Sequence, residues 1–343
     1  MTGGGPGGPS RWAVVGLGRF ARGRLLPALS RAPHGRLAGV YTRNPEVRRA
    51  VANEYGVTVY ESYEAALADP HVQVVALVTP HDLHAEQTIQ AAGARKHIFV
   101  EKPMALSVPD AVKMRQACDA AGVRLYVGFH LRFHEAHQHA RNLIRSGRLG
   151  DLVWISARWA AYREQDTGWR LDPSSSGGTI LTARGVHLLD LVRFVSGAEF
   201  ATISGESDGF RAEHPADDVT AALGRLSSGA MAHVLCSRLV RGSDDTLEIY
   251  GTHGRLVCRG VLSNDDVSSL GLTDGSGETL RTFPKADMLA AELDHVSVAV
   301  ADTASGDEIG ATGVDGVRVT AVTAALVESV RGRRVMPLEY EVT

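Results

Sequence analysis

The sequence predicts an α/β protein: a doubly wound, dinucleotide-binding Rossmann domain over residues 11–130, followed by an α+β domain over residues 131–343. Three observations carry this. Up to Phe129, short apolar runs alternate in near-regular turn with segments of helical periodicity. Those runs are apolar on both faces, as in a parallel sheet covered by helices on each side. After Phe133 the rhythm gives way to strands separated by tight turns, such as Ser227-Ser228-Gly229 and Thr252-His253-Gly254, the pattern of antiparallel neighbours. A chain of 343 residues suits two such domains, each burying its own core.

Met1 to Ser10 is rich in Gly and Pro and reads as a disordered tail, 1–10. Trp12 to Val15 forms the first strand, Gly16-Leu17-Gly18-Arg19-Phe20-Ala21 the turn, and Leu25, Leu26 and Leu29 mark a helix. The alternation continues with a strand at Leu37 to Thr42 and helices at Pro45 to Tyr55 and Tyr63 to Ala68. A strand at Val72 to Val78, a helix at Asp82 to Ala92 and a strand at His97 to Val100 follow. A helix at Val108 to Ala121 and a strand at Arg124 to Phe129 close the domain. In the second domain a helix is expected from Glu135 to Ser146, a strand from Leu152 to Tyr162 and a helix from Arg184 to Val195. Strands then fall at Ala201 to Glu206, Val219 to Leu226, Ala230 to Leu239, Thr246 to Gly251 and Arg255 to Arg259. Asp287 to Val300 and Gly316 to Val330 read as closing helices, with a last short strand near Val335 to Tyr340.

A net charge of −3 provides no basic field for nucleic acid or an anionic membrane surface, so the expected partner is a small molecule. No apolar run reaches the ~20 residues of a membrane span. Cys118, Cys236 and Cys258 stand far apart, which argues against a disulfide framework or zinc site and points to a reducing cytoplasm. His130, His134, His137 and His139 resemble a metal cluster in spacing but lack acids beyond Glu135; they read as a polar helix face, and no metal is assigned.

Gly16 and Gly18 would let the backbone approach a pyrophosphate at the positive end of the following helix, with Ala21 in the packing position and Arg19 and Phe20 in the same turn. The second strand ends at Tyr41-Thr42-Arg43-Asn44, without the acid that an NAD enzyme places on the ribose hydroxyls. Thr42 and Arg43 suit a 2′-phosphate instead, which favours NADP(H) and leaves NAD(H) open; the alternative is an Arg that merely opens the next helix from solvent. Thr79-Pro80-His81-Asp82-Leu83-His84 and Glu101-Lys102-Pro103 follow two further strands, at the carboxyl ends where open α/β sheets bind ligands. Lys102 could stabilise a developing alkoxide there.

The Rossmann turn, T-P-x-x-x-H, E-K-P, Gly128-Phe129-His130-Leu131-Arg132-Phe133 and the stretch from Trp169-Arg170 to Asp190 occur in the order found in the glucose-fructose oxidoreductase / inositol dehydrogenase / MocA (Gfo/Idh/MocA) family, which the chain resembles over nearly its whole length. The resemblance implies a second domain built on a large, mostly antiparallel open sheet, homodimers or homotetramers formed through that sheet, and reversible oxidation of a ring hydroxyl on a sugar or cyclitol. It implies Lys102 as the lysine that polarises the hydroxyl, His187 as general acid/base, and Asp190 as the group that orients the helix or the imidazole. Thr79, Pro80, His84, Glu101 and Lys102 would border the cofactor, and Arg132, Tyr162, Trp169, Arg170, Arg184 and His187, with Lys102, the substrate.

One position departs from the family pattern. Ala183 stands where a carboxylate is usual, four residues before His187. Thr182, Arg184 or Tyr162 could substitute in part, and Arg184 could instead recognise an anionic substrate such as a sugar phosphate, uronate or nucleotide sugar. Two other functions remain on the page: a cofactor-retaining epimerase or oxidative glycosidase, and a non-catalytic dinucleotide or sugar sensor.

Overall fold

The computed structural model describes residues 8–162, 168–209, 217–242, 244–263, 267–301 and 309–340. The chain divides into two units, Met1–His130 with Asp287–Val317, and Leu131–Ala286 with Arg318–Thr343.

The first unit holds a parallel six-stranded sheet, β1 (Ser10–Val15), β2 (Gly35–Tyr41), β3 (Thr58–Val59), β4 (Val74–Leu77), β5 (His97–Val100) and β6 (Leu125–Val127), in the order β3-β2-β1-β4-β5-β6. The order reverses between β1 and β4, the switch point at which doubly wound sheets bind ligands. The helices start and stop where local chemistry dictates. The Asn44 side chain accepts the Glu46 and Val47 amides at the start of Pro45–Tyr55, and Ser107 accepts the Asp110 amide at the start of Val108–Ala121. Gly56 and Gly122, both left-handed, end the same two helices. Trp12, Val14, Phe99, Leu25 and Leu29 fill the core with Leu293 and Val296 of the helix Met288–Ala301.

Two expectations are corrected here. Of the expected tail, residues 1–7 lie outside the described residues, and Ser10 belongs to β1, where its buried hydroxyl donates to the Ser297 carbonyl (2.7 Å). Nor does the second domain own all of 131–343. Asp287–Val317 packs with the first unit, because the apolar face of Met288–Ala301 covers β1, and the Trp12 indole donates to Ser297 Oγ (2.9 Å).

The second unit is built on a nine-stranded sheet in the order β14-β13-β12-β11-β7-β10-β9-β8-β15. Its strands are β7 (Leu152–Ala160), β8 (Phe200–Asp208), β9 (Val219–Leu226), β10 (Met231–Ser237), β11 (Asp244–Gly251), β12 (Gly254–Arg259), β13 (Val267–Asp274), β14 (Gly277–Pro284) and β15 (Met336–Pro337). All pairings are antiparallel except β10 with β7. The helices Glu135–Arg145 and Val186–Ser196 pack together, and the second, buried on nearly every side, also covers β7 and β10.

Candidate active site

In the first unit the carboxyl ends of β1, β2, β4 and β5 present the residues singled out in the sequence. Gly16 adopts φ +94°, and a Cβ there would lie 2.6 Å from the Val78 carbonyl oxygen, so only glycine fits between β1 and the β4 end. At Gly18 a Cβ would meet nothing within 4 Å; this open backbone, followed by a helical turn with no acidic residue and no side-chain cap, suits a pyrophosphate. Arg19 is exposed beside it, and Phe20 is partly buried.

Past β2, Arg43 is exposed while Thr42 is half-buried. Beneath them lies a residue the sequence reading missed. The buried guanidinium of Arg48 donates to the Thr42 carbonyl (3.3 Å) and the Glu61 carbonyl (3.4 Å) and pairs with the Glu61 carboxylate. The Glu61 carboxylate, close to the β2 end through β3, is thereby engaged by Arg48. A nicotinamide dinucleotide fits this donor set, with glycine backbone for the diphosphate and the Arg43 cation past β2.

Past β4, Thr79 Oγ1 donates to Gln87 Oε1 (2.6 Å), and His81 is buried. His84 has no exposed surface, which corrects its reading as a direct cofactor contact; its ring faces the Thr79 and Pro103 carbonyls instead. Past β5, Glu101 is buried and Lys102 keeps part of its side chain in solvent. Burial, helped by the nearby cations Arg24 and Lys102, pushes His130 down to about 3, so it is uncharged near neutrality.

In the second unit Gly178 turns the chain at φ +120° into the segment that carries His187. A π-helical stretch, Leu181–Gly185, leads into the helix Val186–Ser196; such stretches recur at functional sites. Asp217, also missed from sequence, caps the segment: its carboxylate accepts the Thr179 amide (2.5 Å), the Leu181 amide (2.8 Å) and the Thr179 hydroxyl (2.9 Å). No local spacing signals this cap, because Asp217 comes from the approach to β9. Ala183 is partly exposed within the π-helical stretch, and Thr182 Oγ1 donates back to the Gly178 carbonyl (2.9 Å).

His187 is buried, with its ring 6.0 Å from that of Trp159. Arg184 Nη1 donates to the main-chain carbonyls of Ala161 (2.9 Å) and Ser237 (2.5 Å), and its guanidinium lies over Trp159 at 5.3 Å. Nη1 is thus tied to the ends of β7 and β10, while the residue as a whole stays partly exposed. The reading of Arg132 as a substrate contact is corrected. At 4 % exposure it has almost no surface to offer a substrate, and it grips Asp190 through Nε (2.7 Å) and Nη2 (2.5 Å). Asp190 therefore anchors the helix through Arg132, with Arg193 Nη1 at 3.5 Å, while Arg193 and Arg318 share the Glu199 carboxylate. Tyr162 is exposed with Arg241 over its ring at 4.2 Å, and Arg170 lies 4.6 Å from the Trp169 ring centroid.

The histidine-rich stretch is absorbed by structure. His134 Nδ1 accepts the Ala136 amide (3.1 Å), its Nε2 meets Ser268 Oγ (3.2 Å), and His137 Nδ1 meets the Leu131 carbonyl (2.7 Å). Among the described residues no group of three or more His, Cys, Asp or Glu is arranged to hold a metal ion. No helix among them is long and apolar enough to cross a membrane.

A family model for an oxidoreductase family with an NAD-binding Rossmann fold matches residues 10–129, and one for the GFO/IDH/MocA C-terminal domain matches residues 137–257. The chain is 31% identical over 325 residues to 1,5-anhydro-D-fructose reductase of Ensifer adhaerens, covering 93% of this chain and 96% of that protein. It is 30% identical over 282 residues to scyllo-inositol 2-dehydrogenase (NAD(+)) of Bacillus subtilis, covering 80% of each. The crystal structure of aldose-aldose oxidoreductase from Caulobacter crescentus, complexed with glycerol, matches with TM-score 0.87 at 26% identity, over 96% of this chain and 100% of that one.

Proposed function

Because the chain belongs to the Gfo/Idh/MocA family of oxidoreductases, we propose that it interconverts a ring hydroxyl and a ketone on a sugar, nucleotide sugar or cyclitol, with NADP(H) preferred over NAD(H). Lys102 supports this most. It follows β5 at the carboxyl end of the parallel sheet and keeps part of its surface in solvent while Glu101, Pro103, Met104 and Ala105 around it are buried, which supports the reading. Such a cation favours the alkoxide form of a hydroxyl undergoing oxidation, and the same charge is favoured in the reverse direction. His187 takes up or returns the hydroxyl proton. When bound, the nicotinamide supplies the hydride acceptor or donor. The NADP(H) preference rests on Arg43, exposed past β2 at a strand end without a carboxylate.

The test is turnover with NADPH and NADH across ring-keto sugars and polyols. Lys102→Met should lower kcat by about 10²-fold or more while NADPH still binds; wild-type turnover in that variant would remove the reading. Ala183 supports a second one, in which the cofactor stays bound and oxidation is transient, as in an epimerase or oxidative glycosidase. Product formation without net change in nicotinamide absorbance selects that alternative.

We also propose that the protein is a homo-oligomer through one face of the nine-stranded sheet. The register places exposed Leu223, Met231, Trp154, Val267 and Leu280 on that face, an apolar area of the kind that marks interfaces. Sedimentation at micromolar concentration should give a dimer or tetramer, and a monomer there counters the proposal.

A further inference from the structure

We propose that His84 is a positioning residue, a buried imidazole bridging the loop after β4 and the loop after β5, so that it sets where Lys102 stands relative to Thr79 and Pro80. The inference rests on the assignment of Lys102 and of the Thr79–Pro80 loop made above.

β4 and β5 are parallel neighbours in register from Val74↔His97 to Leu77↔Val100. The Glu101 amide still donates to the Leu77 carbonyl (2.9 Å). Beyond that bond the two strands end in the loops that carry Thr79-Pro80 and Lys102-Pro103. His84 opens the helix His84–Gly93 with its ring fully buried. Nδ1 lies 3.0 Å from the Pro103 carbonyl oxygen and Nε2 lies 3.1 Å from the Thr79 carbonyl oxygen. Each ring nitrogen thus faces one loop. Gln87, one turn later on the same helix, accepts from the Thr79 hydroxyl, so this helix holds the first loop twice. The residue whose carbonyl faces Nδ1 is bonded directly to Lys102.

Burial holds the His84 pKa below its ordinary value, against the opposing pull of the Pro103, Thr79 and Met104 main-chain groups and of Asp82. An uncharged imidazole has one N–H, so it donates to only one of the two carbonyls, as its tautomer decides, and its other nitrogen presents a lone pair to the second oxygen. The ring thus ties one loop by a hydrogen bond and spaces the other by its bulk. A displacement near 1 Å of a reacting group costs about 10²-fold in rate, so a spacer here acts on kcat without touching substrate.

Amide replacements separate the two sides of the bridge. In His84→Asn the amide nitrogen takes the place of Nδ1 and can reach the Pro103 carbonyl; in His84→Gln it falls near Nε2 and the Thr79 carbonyl. If the ring proton is on Nδ1, His84→Asn should keep kcat within a few-fold while His84→Gln lowers it by about tenfold or more; if it is on Nε2, His84→Gln should keep NADPH binding while His84→Asn weakens it about tenfold, the scale of one hydrogen bond. His84→Phe should lose whichever bond the ring makes. Equal shifts of Kd and kcat in all three variants, or no shift in any, would overturn the proposal. The unmodified protein provides an arm free of folding effects. In spectra of the ¹⁵N-histidine-labelled enzyme, a His84 ring N–H should exchange with solvent at least about 10²-fold more slowly than an exposed imidazole, as a buried, bonded proton does; fast exchange overturns the bridge. Lys102→Met distinguishes the two levels of the argument. If it retains turnover, the assignment of Lys102 fails whatever His84 does. If it is inactive while the His84 variants match wild type, the bridge alone fails.

Discussion

Arg43 and Arg48 lie about one helical turn apart and divide the labour at the end of β2. Arg43 is exposed, whereas Arg48 is buried beneath the turn on two carbonyl oxygens and the Glu61 carboxylate. Replacing Arg43 by Ala should raise the KM for NADPH about 10- to 100-fold, the scale of one or two charge-assisted hydrogen bonds, with the KM for NADH nearly unchanged. Steady-state kinetics with both nucleotides check this, and an equal change with both would sink the 2′-phosphate assignment. Arg43 was visible in the sequence because strand, turn and missing acid place it. Arg48 was not, since an Arg inside a helix reads as a solvated side chain until β3 pairs with β2 and brings Glu61 over it. Arg132 misled for the related reason that a guanidinium in a motif does not say whether it faces a ligand or a carboxylate such as Asp190.

The element that carries His187 depends on a distant cap. Three donors of the Thr179–Leu181 turn converge on Asp217, and carboxylates at such positions are favoured by the helix dipole as well. Asp217→Ala should cost about 1–2 kcal/mol of stability, read by urea denaturation, and lower kcat more than it changes KM; a variant as stable as wild type would show that the cap does not hold the segment. Elements with local punctuation were legible. Pro45–Tyr55 and Val108–Ala121 start and stop as expected, because Asn44, Ser107, Gly56 and Gly122 act within a turn of the residues they terminate. Of the π-helical stretch Leu181–Gly185 only Arg184 and Gly185 fall in the helix expected from Arg184 to Val195, since nothing local signals the earlier start. β13 and β14 were missed: VSSLGLTD and GETLRTFP carry little of the β-branched and aromatic content that marks a strand, and their pairing partners, not their composition, make them strands.

For the molecule as a whole, buried uncharged histidines set the response to acid. Burial lowers the pKa of His84, His97, His130 and His134, with His130 falling from 6.5 to about 3. The unfolded chain takes up protons at these positions near pH 6.5, while the folded chain does so only at lower pH. The unfolded state therefore binds more protons between those values, and stability rises with pH in that window. Asp69 and Glu248, lowered by their hydrogen bonds and by nearby cations against the effect of burial, add a further loss at the acid end as they protonate. The melting temperature should fall steadily as pH is taken from 7 to about 4.5; melts that are flat or rise over that range would contradict the assignment of uncharged rings. The order of strands and helices in the first unit was legible at this scale. The return of Asp287–Val317 to it was not, because the helix Met288–Ala301, apolar and buried at most of its positions, does not name in its own sequence the sheet it covers.

That late segment has a consequence for synthesis. Trp12 and Leu29 find Leu293, Val296 and Ser297 only after 167 further residues (297 − 130) have been added beyond His130. At roughly 5–20 residues per second, the nascent amino-terminal sheet waits on the ribosome for about 8–30 seconds with one apolar face uncovered. The interval is long enough for a chaperone to bind there, and the last helix to leave the exit tunnel for that domain is the one that releases it.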